Sequence, residues 1–256
     1  MRLLEFHVVV FQNRDTAICH RVDLSMRSIW LSAGVVVSLV GLPPAAWPAE
    51  NDAGFENIFN GKSLDGWRGK SQFWSVRNGV ITGETTDSNP TDGNTFLIFG
   101  SNFADFELRL KVRIVGGNSG IQFRSEDMGN FVVHGYQTDI DSTEKFLGDL
   151  YEEGGRGALA KGGERVEIAE DGTKRVVGTT HNLLEIAATV RWQDWNDYHV
   201  IAKGNHLVQE INGLQTVDLI DNELNKSHKD GVLALQLHAG APMLVQFKDI
   251  QIKRLR

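Results

Sequence analysis

The sequence predicts an all-β protein, folded as a sandwich or barrel, from three observations. From Gly54 onward the chain is a succession of short runs rich in β-branched, aromatic and aliphatic residues. Glycine-containing turn dipeptides separate these runs and supply the positive φ angles that tight turns require. No stretch has the apolar spacing of a long amphipathic helix. Many short strands divided by regular turns are typical of a sandwich or barrel built as one domain.

The predicted strands follow one another along residues 50–256, which we expect to form a single domain. They are Phe73–Val76, Val80–Thr82, Thr95–Phe99, Phe106–Ile114, Gly120–Arg124, Val132–Ile140, Tyr198–Lys203, His206–Ile211, Gly231–His238 and Leu244–Leu255. The dipeptides between them include Asn60-Gly61, Asn78-Gly79 and Asn212-Gly213. The best candidate for a short helix is Asp218–Asn225.

One segment, at about residues 158–190, interrupts this pattern. It is rich in Gly, Glu, Lys and Arg and poor in large apolar side chains. Its composition predicts an inserted hairpin or long loop over one end of the domain. Segments of this length in a compact domain are usually functional or mobile. We expect either a lid or rim for a binding site or a simple surface excursion.

Residues 1–49 are predicted to be an N-terminal extension that contains a secretory signal peptide. Met26 is followed by an arginine, an apolar run from Ile29 to Leu42, and then small residues and prolines. Met26 is therefore the expected true start, with cleavage between Ala45 and Ala49. The apolar run is short for a membrane span, and an uncleaved anchor is the alternative. We expect an exported protein, periplasmic or extracellular, without a membrane span after signal removal.

Composition narrows the classes of partner. The net charge of the 256-residue chain is −7, and removal of residues 1–49 would make it −8, because four basic and three acidic residues are lost. An acidic domain without a basic patch argues against nucleic acid as a partner. The one cysteine, Cys19, lies in the N-terminal extension. The mature domain is thus expected to have no disulfide and to depend on its hydrophobic core.

Two neighbouring runs carry polar side chains at alternate positions. Gln122 and Arg124 alternate with apolar residues in the first run, and Gln137 and Asp139 do so in the second. Successive side chains of a strand point to opposite faces of the sheet, so these four should share one face. Amide, guanidinium and carboxylate groups together are suited to bind hydroxyl groups. The pattern therefore predicts a carbohydrate as the partner.

Eight segments, in order, resemble one protein family. They are GFENIFNGKSLDGWRG, FWSVRNGVITGE, DFELRLKVRIVGGNSGIQFRS, GYQTDID, LGDLYEEGGRG, WNDYHVIAKGN, INGLQTVDLID and GVLALQLHAGAPMLVQFKDIQI. Together they cover Gly54 to Leu255 and are similar to the 3-keto-disaccharide hydrolase domain, long known as a domain of unknown function. The resemblance implies a concanavalin-A-like jelly-roll sandwich, as in lectins and glucanases. It also implies action on glycosides whose C3 hydroxyl has been oxidised to a ketone.

In such a jelly roll, one face of a curved sheet is the usual platform for sugar. Gln236 and His238 end another strand in the same phase and are expected to join the four polar residues there. Asp139 is the expected catalytic carboxylate, kept ionised by Arg124. The alternative is that Arg124 forms a structural ion pair with Asp139 or with Glu126. His238 is expected to be catalytic as well, with a hydrogen-bonded structural histidine as the alternative.

Four further candidates lie where the LGDLY run passes into a glycine-rich turn. Tyr151, Glu153 and Arg156 are expected to bind substrate, and Glu152 is the expected second catalytic carboxylate. Rim positions of this kind often carry functional side chains. Only one of the adjacent residues Glu152 and Glu153 can face the site, and the sequence does not determine which.

Two reactions and two non-catalytic roles fit these residues. In an elimination, the C3 ketone acidifies the C2 hydrogen, so that a base (Asp139 or Glu152) removes it. Arg124 would stabilise the enolate and His238 would protonate the leaving group. Direct hydrolysis by two carboxylates is the other reaction. The rivals are a lectin-like carbohydrate-binding module and a cell-surface interaction module.

No cofactor motif is present in the sequence. Signatures of phosphate-binding loops, nucleophilic serines and zinc sites are missing. Acidic stretches at Asp139–Asp141 and Asp218–Asp221 offer oxygen ligands for a divalent cation such as Ca²⁺. A solvated acidic turn is the alternative, and no residue is assigned as a metal ligand.

Overall fold

The computed structural model describes residues 53–256, which form two β-sheets and one short helix. The predicted all-β sandwich is confirmed. The predicted signal peptide, the start at Met26 and the cleavage site lie outside the described residues. Within residues 53–256 no helix has the length and apolarity to cross a membrane.

The elements follow in chain order. They are β1 (Glu56–Asn57), β2 (Trp67–Arg68), β3 (Trp74–Arg77), β4 (Val80–Thr85), β5 (Thr95–Phe103), β6 (Phe106–Val115), β7 (Asn118–Gly129), β8 (Val132–Asp141), β9 (Leu150–Glu153), β10 (Gly157–Ala160), β11 (Glu164–Ile168), β12 (Lys174–Thr179), α1 (Leu183–Thr189), β13 (Asn196–Lys203), β14 (His206–Ile211), β15 (Leu214–Asp221), β16 (Gly231–Leu237) and β17 (Met243–Arg254).

The strands divide between a ten-stranded and a seven-stranded sheet. The larger has the order β12-β11-β15-β14-β13-β6-β17-β4-β3, with β1 paired to β17. The smaller has the order β10-β9-β8-β7-β16-β5-β2. Strands β7 to β10 are thus neighbours in space as well as in sequence. This meander, residues 118–160, contains most of the predicted site.

The core lies between the two sheets and is rich in aromatic rings. Phe103, Phe106, Phe123 and Tyr136 form a continuous series, with ring centroids 6.2, 6.0 and 5.6 Å apart. Phe106 belongs to the ten-stranded sheet and the other three to the seven-stranded sheet, so the series joins the layers. Each such pair contributes about 0.5–1.5 kcal/mol beyond the burial of its area.

A bulge in β7 interrupts the alternation of its side chains. The pairing of β7 with β8 shifts register between Phe123 and Glu126, and Arg124 has a φ of +45°. Gly231 of β16 lies against the bulge, where a Cβ atom would be 2.4 Å from the carbonyl oxygen of Ser125. Only glycine fits so close to the neighbouring backbone. Residues beyond Phe123 therefore do not continue the face pattern of the strand.

The segment at about 158–190 forms β10, β11, β12 and α1. The antiparallel pair β11–β12 extends the ten-stranded sheet, and β11 runs parallel to β15. A capping box between Asn182 and Glu185 starts the helix. The helix predicted at Asp218–Asn225 is wrong, because residues 218–221 end β15. Alternating Val217, Leu219 and Asp221 are buried there, as in a strand with one face in the core.

Candidate active site

A hollow of about 280 Å³ opens on the face of the seven-stranded sheet that is turned away from the ten-stranded sheet. Four of its residues come from β8 and β9, because Tyr136 and Leu150 point into the core and their sequence neighbours point outward. The connecting segments complete the walls. The lining consists of Asn94, Asn118, Gln137, Asp139, Phe146, Asp149, Tyr151, Glu153, Ala158, Lys161 and His238. We call it the acidic hollow.

Asp139 is the most perturbed carboxyl group of the acidic hollow. Its residue is only 5% exposed. Burial raises its pKa to about 8, an amide hydrogen bond from Gln137 opposes the shift, and the negative charges of Asp149, Asp141 and Glu153 add to it. The carboxyl group is therefore mostly protonated at neutral pH. The expectation that Arg124 keeps Asp139 ionised is wrong.

A chain of amides orients the Asp139 carboxyl group. The hydroxyl of Ser125 donates to Oε1 of Gln122 (2.6 Å), and Nε2 of Gln122 donates to Oε1 of Gln137 (2.8 Å). Nε2 of Gln137 donates in turn to Oδ1 of Asp139 (2.7 Å). Since Oδ1 accepts this bond, the proton of the neutral acid belongs on Oδ2. We call these four side chains the amide relay.

Gly120 leaves the space that the amide relay occupies. It faces Asp139 across the β7–β8 ladder, and the side chain of Gln137 lies over it. A Cβ atom at this position would be 2.2 Å from Cδ of Gln137. Gly120 thus permits the close approach of a side chain within the sheet.

Lys161 brings a positive charge to the wall of the hollow. Its ammonium group lies 2.9 Å from Oδ2 of Asp149, whose Oδ1 accepts the backbone N–H of Gly162 (2.9 Å). The hydrogen bond with Asp149 is the main cause that raises the pKa of Lys161, with smaller contributions from the charges of Asp149 and Asp139. Lys161 follows β10 and belongs to the segment at 158–190. That segment therefore contributes to the site.

Glu153 is held by neutral amides. Nδ2 of Asn94 donates to its Oε1 (2.9 Å), and Nε2 of Gln236 donates to its Oε2 (3.4 Å). Oε1 of Gln236 is buried and has no hydrogen-bond partner within residues 53–256. Gln236 is fully buried beneath the hollow and does not line it, so its amide supports Glu153 from behind.

His238 is an exposed residue of the hollow. Its Nδ1 lies 2.6 Å from the carbonyl oxygen of Ala239. A carbonyl oxygen only accepts, so Nδ1 carries the hydrogen of that bond. Nε2 is the nitrogen left for proton exchange with substrate or solvent.

Arg124, which was expected to line the site, is not part of the hollow. Its guanidinium donates to the carbonyl oxygens of Ala104 (2.7 Å) and Gly204 (2.6 Å) and to the carboxylate of Asp105 (2.8 Å). The bulge is the reason, because it turns the side chain away from the face that carries Gln122. Arg124 instead joins loops at one end of the sandwich.

Glu152 and Arg156 are also outside the hollow. Glu152 pairs with Arg156 and with Nε2 of His228 (2.9 Å), and Arg156 pairs further with Asp221 (2.7 Å) and Glu223 (3.0 Å). Burial acts to raise the pKa of Glu152, but hydrogen bonds from His228 and Arg156 hold it below its ordinary value. Leu150 and Glu152 face away from the hollow and Tyr151 faces it, by the alternation of β9. We call this group the Arg156 cluster.

Several lining residues were not identified from the sequence. They are Asn94, Asn118, Phe146, Asp149, Ala158 and Lys161, most of them in connections between strands. Strand periodicity carries no information about such positions. The position of Asp149 just before the LYEE stretch is the one signal that sequence reading could have used.

The described residues contain no group of three or more His, Cys, Asp or Glu that could hold a metal ion. In the first acidic stretch considered for Ca²⁺, Asp141 accepts the backbone N–H (2.6 Å) and hydroxyl of Thr143. In the second, Asp221 is paired with Arg156.

Comparisons with known proteins agree with this architecture. The sequence pattern of a family described as the 3-keto-alpha-glucoside-1,2-lyase-like domain matches residues 54–253. A 3-keto-disaccharide hydrolase of Bacteroides thetaiotaomicron is 33% identical over 93 residues, which are 32% of this chain and 30% of that protein. The chain thus matches less than a third of that relative's length.

Two solved structures share the fold. A Parabacteroides distasonis protein, provisionally assigned as a glycosyl hydrolase, has a TM-score of 0.54 at 18% identity, with 83% of this chain and 99% of that chain covered. A Bacillus subtilis protein with a galectin-like fold has a TM-score of 0.51 at 11% identity, with 75% and 90% covered. At these identities the likeness concerns the fold alone.

Proposed function

This chain belongs to the family of 3-keto-alpha-glucoside-1,2-lyase-like domains, and on that premise we propose that it cleaves the glycosidic bond of 3-keto-glycosides in the acidic hollow. The single observation that carries the proposal is the convergence of several acids in one hollow. The buried carboxyl group of Asp139, whose pKa burial raises to about 8, shares the hollow with Glu153 and Asp149, which accept hydrogen bonds from Asn94 and from the backbone N–H of Gly162. A protonated acid beside a second carboxyl group is the arrangement that acid–base catalysis uses.

Asp139 is the proposed general acid. Its Oδ2 carries the proton, since Oδ1 accepts from Gln137. The amide relay fixes the orientation of the carboxyl group, so little rearrangement is needed when the proton moves to the leaving oxygen. This role replaces the expected role of Asp139 as a base.

Glu153 is the proposed base, and Lys161 is the proposed stabiliser of the enolate. Neutral amides hold Glu153, whereas the ammonium group of Lys161 offsets the charge of Asp149. The remaining N–H groups of Lys161 can donate to a developing negative charge on the C3 oxygen. Lys161 thus takes the role first expected of Arg124, and Glu153 takes the role expected of Glu152.

The proposed reaction is an elimination followed by hydration. Glu153 removes the proton from C2, the C2–H electrons form the C1–C2 double bond, and the bond from C1 to the leaving oxygen breaks. Asp139 gives its proton to that oxygen, which releases an alcohol or sugar. Water then adds across the double bond, with hydroxyl at C1 and hydrogen at C2, to give the 3-keto-hexose. His238 exchanges protons with solvent at the mouth of the hollow.

The test is turnover of a 3-keto-disaccharide in heavy water. We expect release of the second sugar and incorporation of deuterium at C2 of the 3-keto product. The product incubated without protein under the same conditions corrects for spontaneous exchange, and the unoxidised disaccharide should not be cleaved. Turnover without deuterium at C2 would contradict elimination and indicate direct hydrolysis. No turnover of α- or β-linked 3-keto substrates would refute the proposed activity.

A carbohydrate-binding module without catalysis is the second candidate. The amides of Asn94, Asn118 and Gln137 in the lining of the hollow favour this function, because amides bind sugar hydroxyls without chemistry. Titration calorimetry with unoxidised and 3-keto-disaccharides distinguishes the two. Binding of both sugars with no turnover of either supports the module.

Export of the protein is the third proposal, and the pattern at Met26–Ala49 supports it. Mass spectrometry of the protein recovered from a bacterial host should find an N-terminus between residues 46 and 50 in the periplasmic fraction. A chain that keeps Met1 or Met26 and stays in the cytoplasm would refute export.

A further inference from the structure

Trp192 lies exposed at the tip of a tight turn between α1 and β13. The backbone N–H of Asp194 donates to the carbonyl oxygen of Arg191 (3.0 Å), which closes the turn around Trp192 and Gln193. Trp192 is 41% exposed. The rest of its surface is covered, and Trp192 lines a shallow recess together with apolar residues such as Ile114, Ile140 and Val190, so part of the indole is anchored and part stays accessible to a ligand.

The turn holds Trp192 in a defined position. The buried side chain of Asn196 accepts the N–H of Arg191 (2.8 Å) and donates to the carbonyl oxygens of Arg191 and Asp194 (both 2.9 Å). Gln193 has a φ of +59°, a conformation that costs a non-glycine residue about 1 kcal/mol or more. The hydrogen bonds from one side chain to both ends of the turn maintain this conformation.

Trp192 adjoins the acidic hollow through two residues. Asp141 and Trp192 border the same shallow recess, which also includes Ser142. Asp141 accepts a long hydrogen bond from Nδ2 of Asn118 (3.4 Å), and Asn118 lines the acidic hollow. A polar edge of Asn118 and Asp141 therefore lies between the hollow and the recess that Trp192 borders, whose other walls include apolar residues.

The neighbouring Trp195, in contrast, is in contact with cationic side chains. Its half-buried ring lies under the ammonium group of Lys248 (4.2 Å) and near the guanidinium of Arg113 (5.6 Å). Two cations thus occupy the surroundings of Trp195, and Trp192 has no comparable contact within residues 53–256. Of the two tryptophans in this turn, Trp192 is the one available to a ligand.

We propose that Trp192 is the platform of a second sugar subsite, which binds a neutral pyranose ring extending out of the acidic hollow. The C–H face of the ring stacks on the indole, and the carboxylate of Asp141 accepts a hydroxyl hydrogen. Carboxylates on the connecting edge disfavour anionic sugars. The inference rests on sugar binding in the hollow, as the proposed function has it, and extends the ligand from two rings to three or more.

The experiment measures binding of unoxidised glucose oligomers, so it does not depend on turnover. Maltose, maltotriose, cellobiose and cellotriose are titrated into the wild-type protein, Trp192→Ala and Leu184→Ala. Leu184 is 76% exposed on α1 and controls for loss of an exposed apolar side chain. Thermal unfolding checks that the three proteins fold alike.

In the wild type, we expect a trisaccharide of one linkage to bind about five- to tenfold more tightly than its disaccharide. Trp192→Ala should remove that difference and leave disaccharide binding unchanged, and Leu184→Ala should change neither. Equal effects of Trp192→Ala on both lengths, no effect on either, or no binding of any oligomer would overturn the subsite. If the oligomers bind as expected but no sugar is released from 3-keto-disaccharides, the proposed activity is refuted and the subsite stands.

Discussion

The two faces of β9 carry two groups of three acids that differ in how the acids are paired. On one face, the acidic hollow combines Asp139, Asp149 and Glu153 with a single ammonium group at its wall. On the other face, the Arg156 cluster surrounds one guanidinium with carboxylates that all pair with it. The pKa of Asp139 is raised and that of Glu152 is lowered.

This difference separates a structural site from the proposed catalytic one. In the Arg156 cluster, burial acts to raise the pKa values of Glu152 and Asp221, but hydrogen bonds from neighbouring groups, the guanidinium among them, hold both below their ordinary values. In the hollow, the charge of Asp139 would have no cation beside it, so burial favours the protonated carboxyl group, which on the proposed mechanism gives its proton to a ligand. Adjacent residues of one short strand therefore have different surroundings because of the faces they occupy.

The largest expected effect comes from Asp139→Asn compared with Glu152→Gln. Asp139→Asn removes the proposed general acid and should lower kcat on a 3-keto-disaccharide by about 10²- to 10⁴-fold. Glu152 lies on the face of β9 opposite the hollow, so Glu152→Gln should keep kcat within a few-fold of wild type. Steady-state kinetics measures both. Equal losses in the two variants would contradict the assignment of the two faces.

The second prediction concerns stability, which we expect to depend on the Arg156 cluster. Arg156→Gln leaves the buried carboxylates of Glu152 and Asp221 without their cation, and it should lower the free energy of unfolding by about 3–5 kcal/mol. Urea denaturation measures the change. Arg175→Gln, an exposed position on β12, is the matched control and should shift stability by less than about 0.5 kcal/mol. Similar values for both variants would show that the cluster is not needed for stability.

Strand alternation predicted correctly that several of these polar side chains come together on one face. Gln137, Asp139 and His238 line the hollow, and Gln122 and Gln236 hydrogen-bond to its residues. These positions lie on regular strands or at a strand end, where a period of two fixes the face. The all-β class could be predicted for the same reason, since turns and short apolar runs are local features of the sequence.

The other features of the hollow could not be predicted, because they depend on contacts between parts of the chain that are distant in sequence or on the folded environment. Arg124 left its predicted face because the bulge is accommodated by Gly231 of a strand about a hundred residues away. The choice between Glu152 and Glu153 needed the phase of β9, which a four-residue strand does not reveal. Lys161 reaches the hollow from an inserted segment. The raised pKa of Asp139 follows from burial and neighbouring charges, which exist only in the folded protein.

The third prediction is that the protonation of Asp139 makes the free energy of unfolding depend on pH. The unfolded chain releases this proton near pH 3.9, and the folded protein releases it only near pH 8. Between these values unfolding releases a proton, so stability should fall as pH rises, by a total on the order of a few kcal/mol. Asp139→Asn should lack this slope. Urea denaturation at pH 5, 6.5 and 8 measures it in both proteins, and parallel curves would contradict the raised pKa.

The fourth prediction is that Asp139, as the proposed general acid, sets the alkaline limb of activity. A general acid must be protonated, so kcat should fall about tenfold per pH unit above pH 8. The pH profile of kcat for a 3-keto-disaccharide measures this limb. Glu152→Gln should leave its position unchanged, since Glu152 belongs to the other face. A limb that moves in this variant would place Glu152 in the chemistry.

The smallest expected effect comes from Gly120→Ala, which tests whether the amide relay matters. The new methyl group would overlap Gln137, so the relay must shift, at a cost of about 1–3 kcal/mol in the free energy of unfolding. Activity should fall as well, because Asp139 loses the amide that orients its proton. Gly93→Ala is the control, since a Cβ atom there meets nothing within 4 Å. A Gly120→Ala protein with normal kcat would mean that Asp139 acts without the relay.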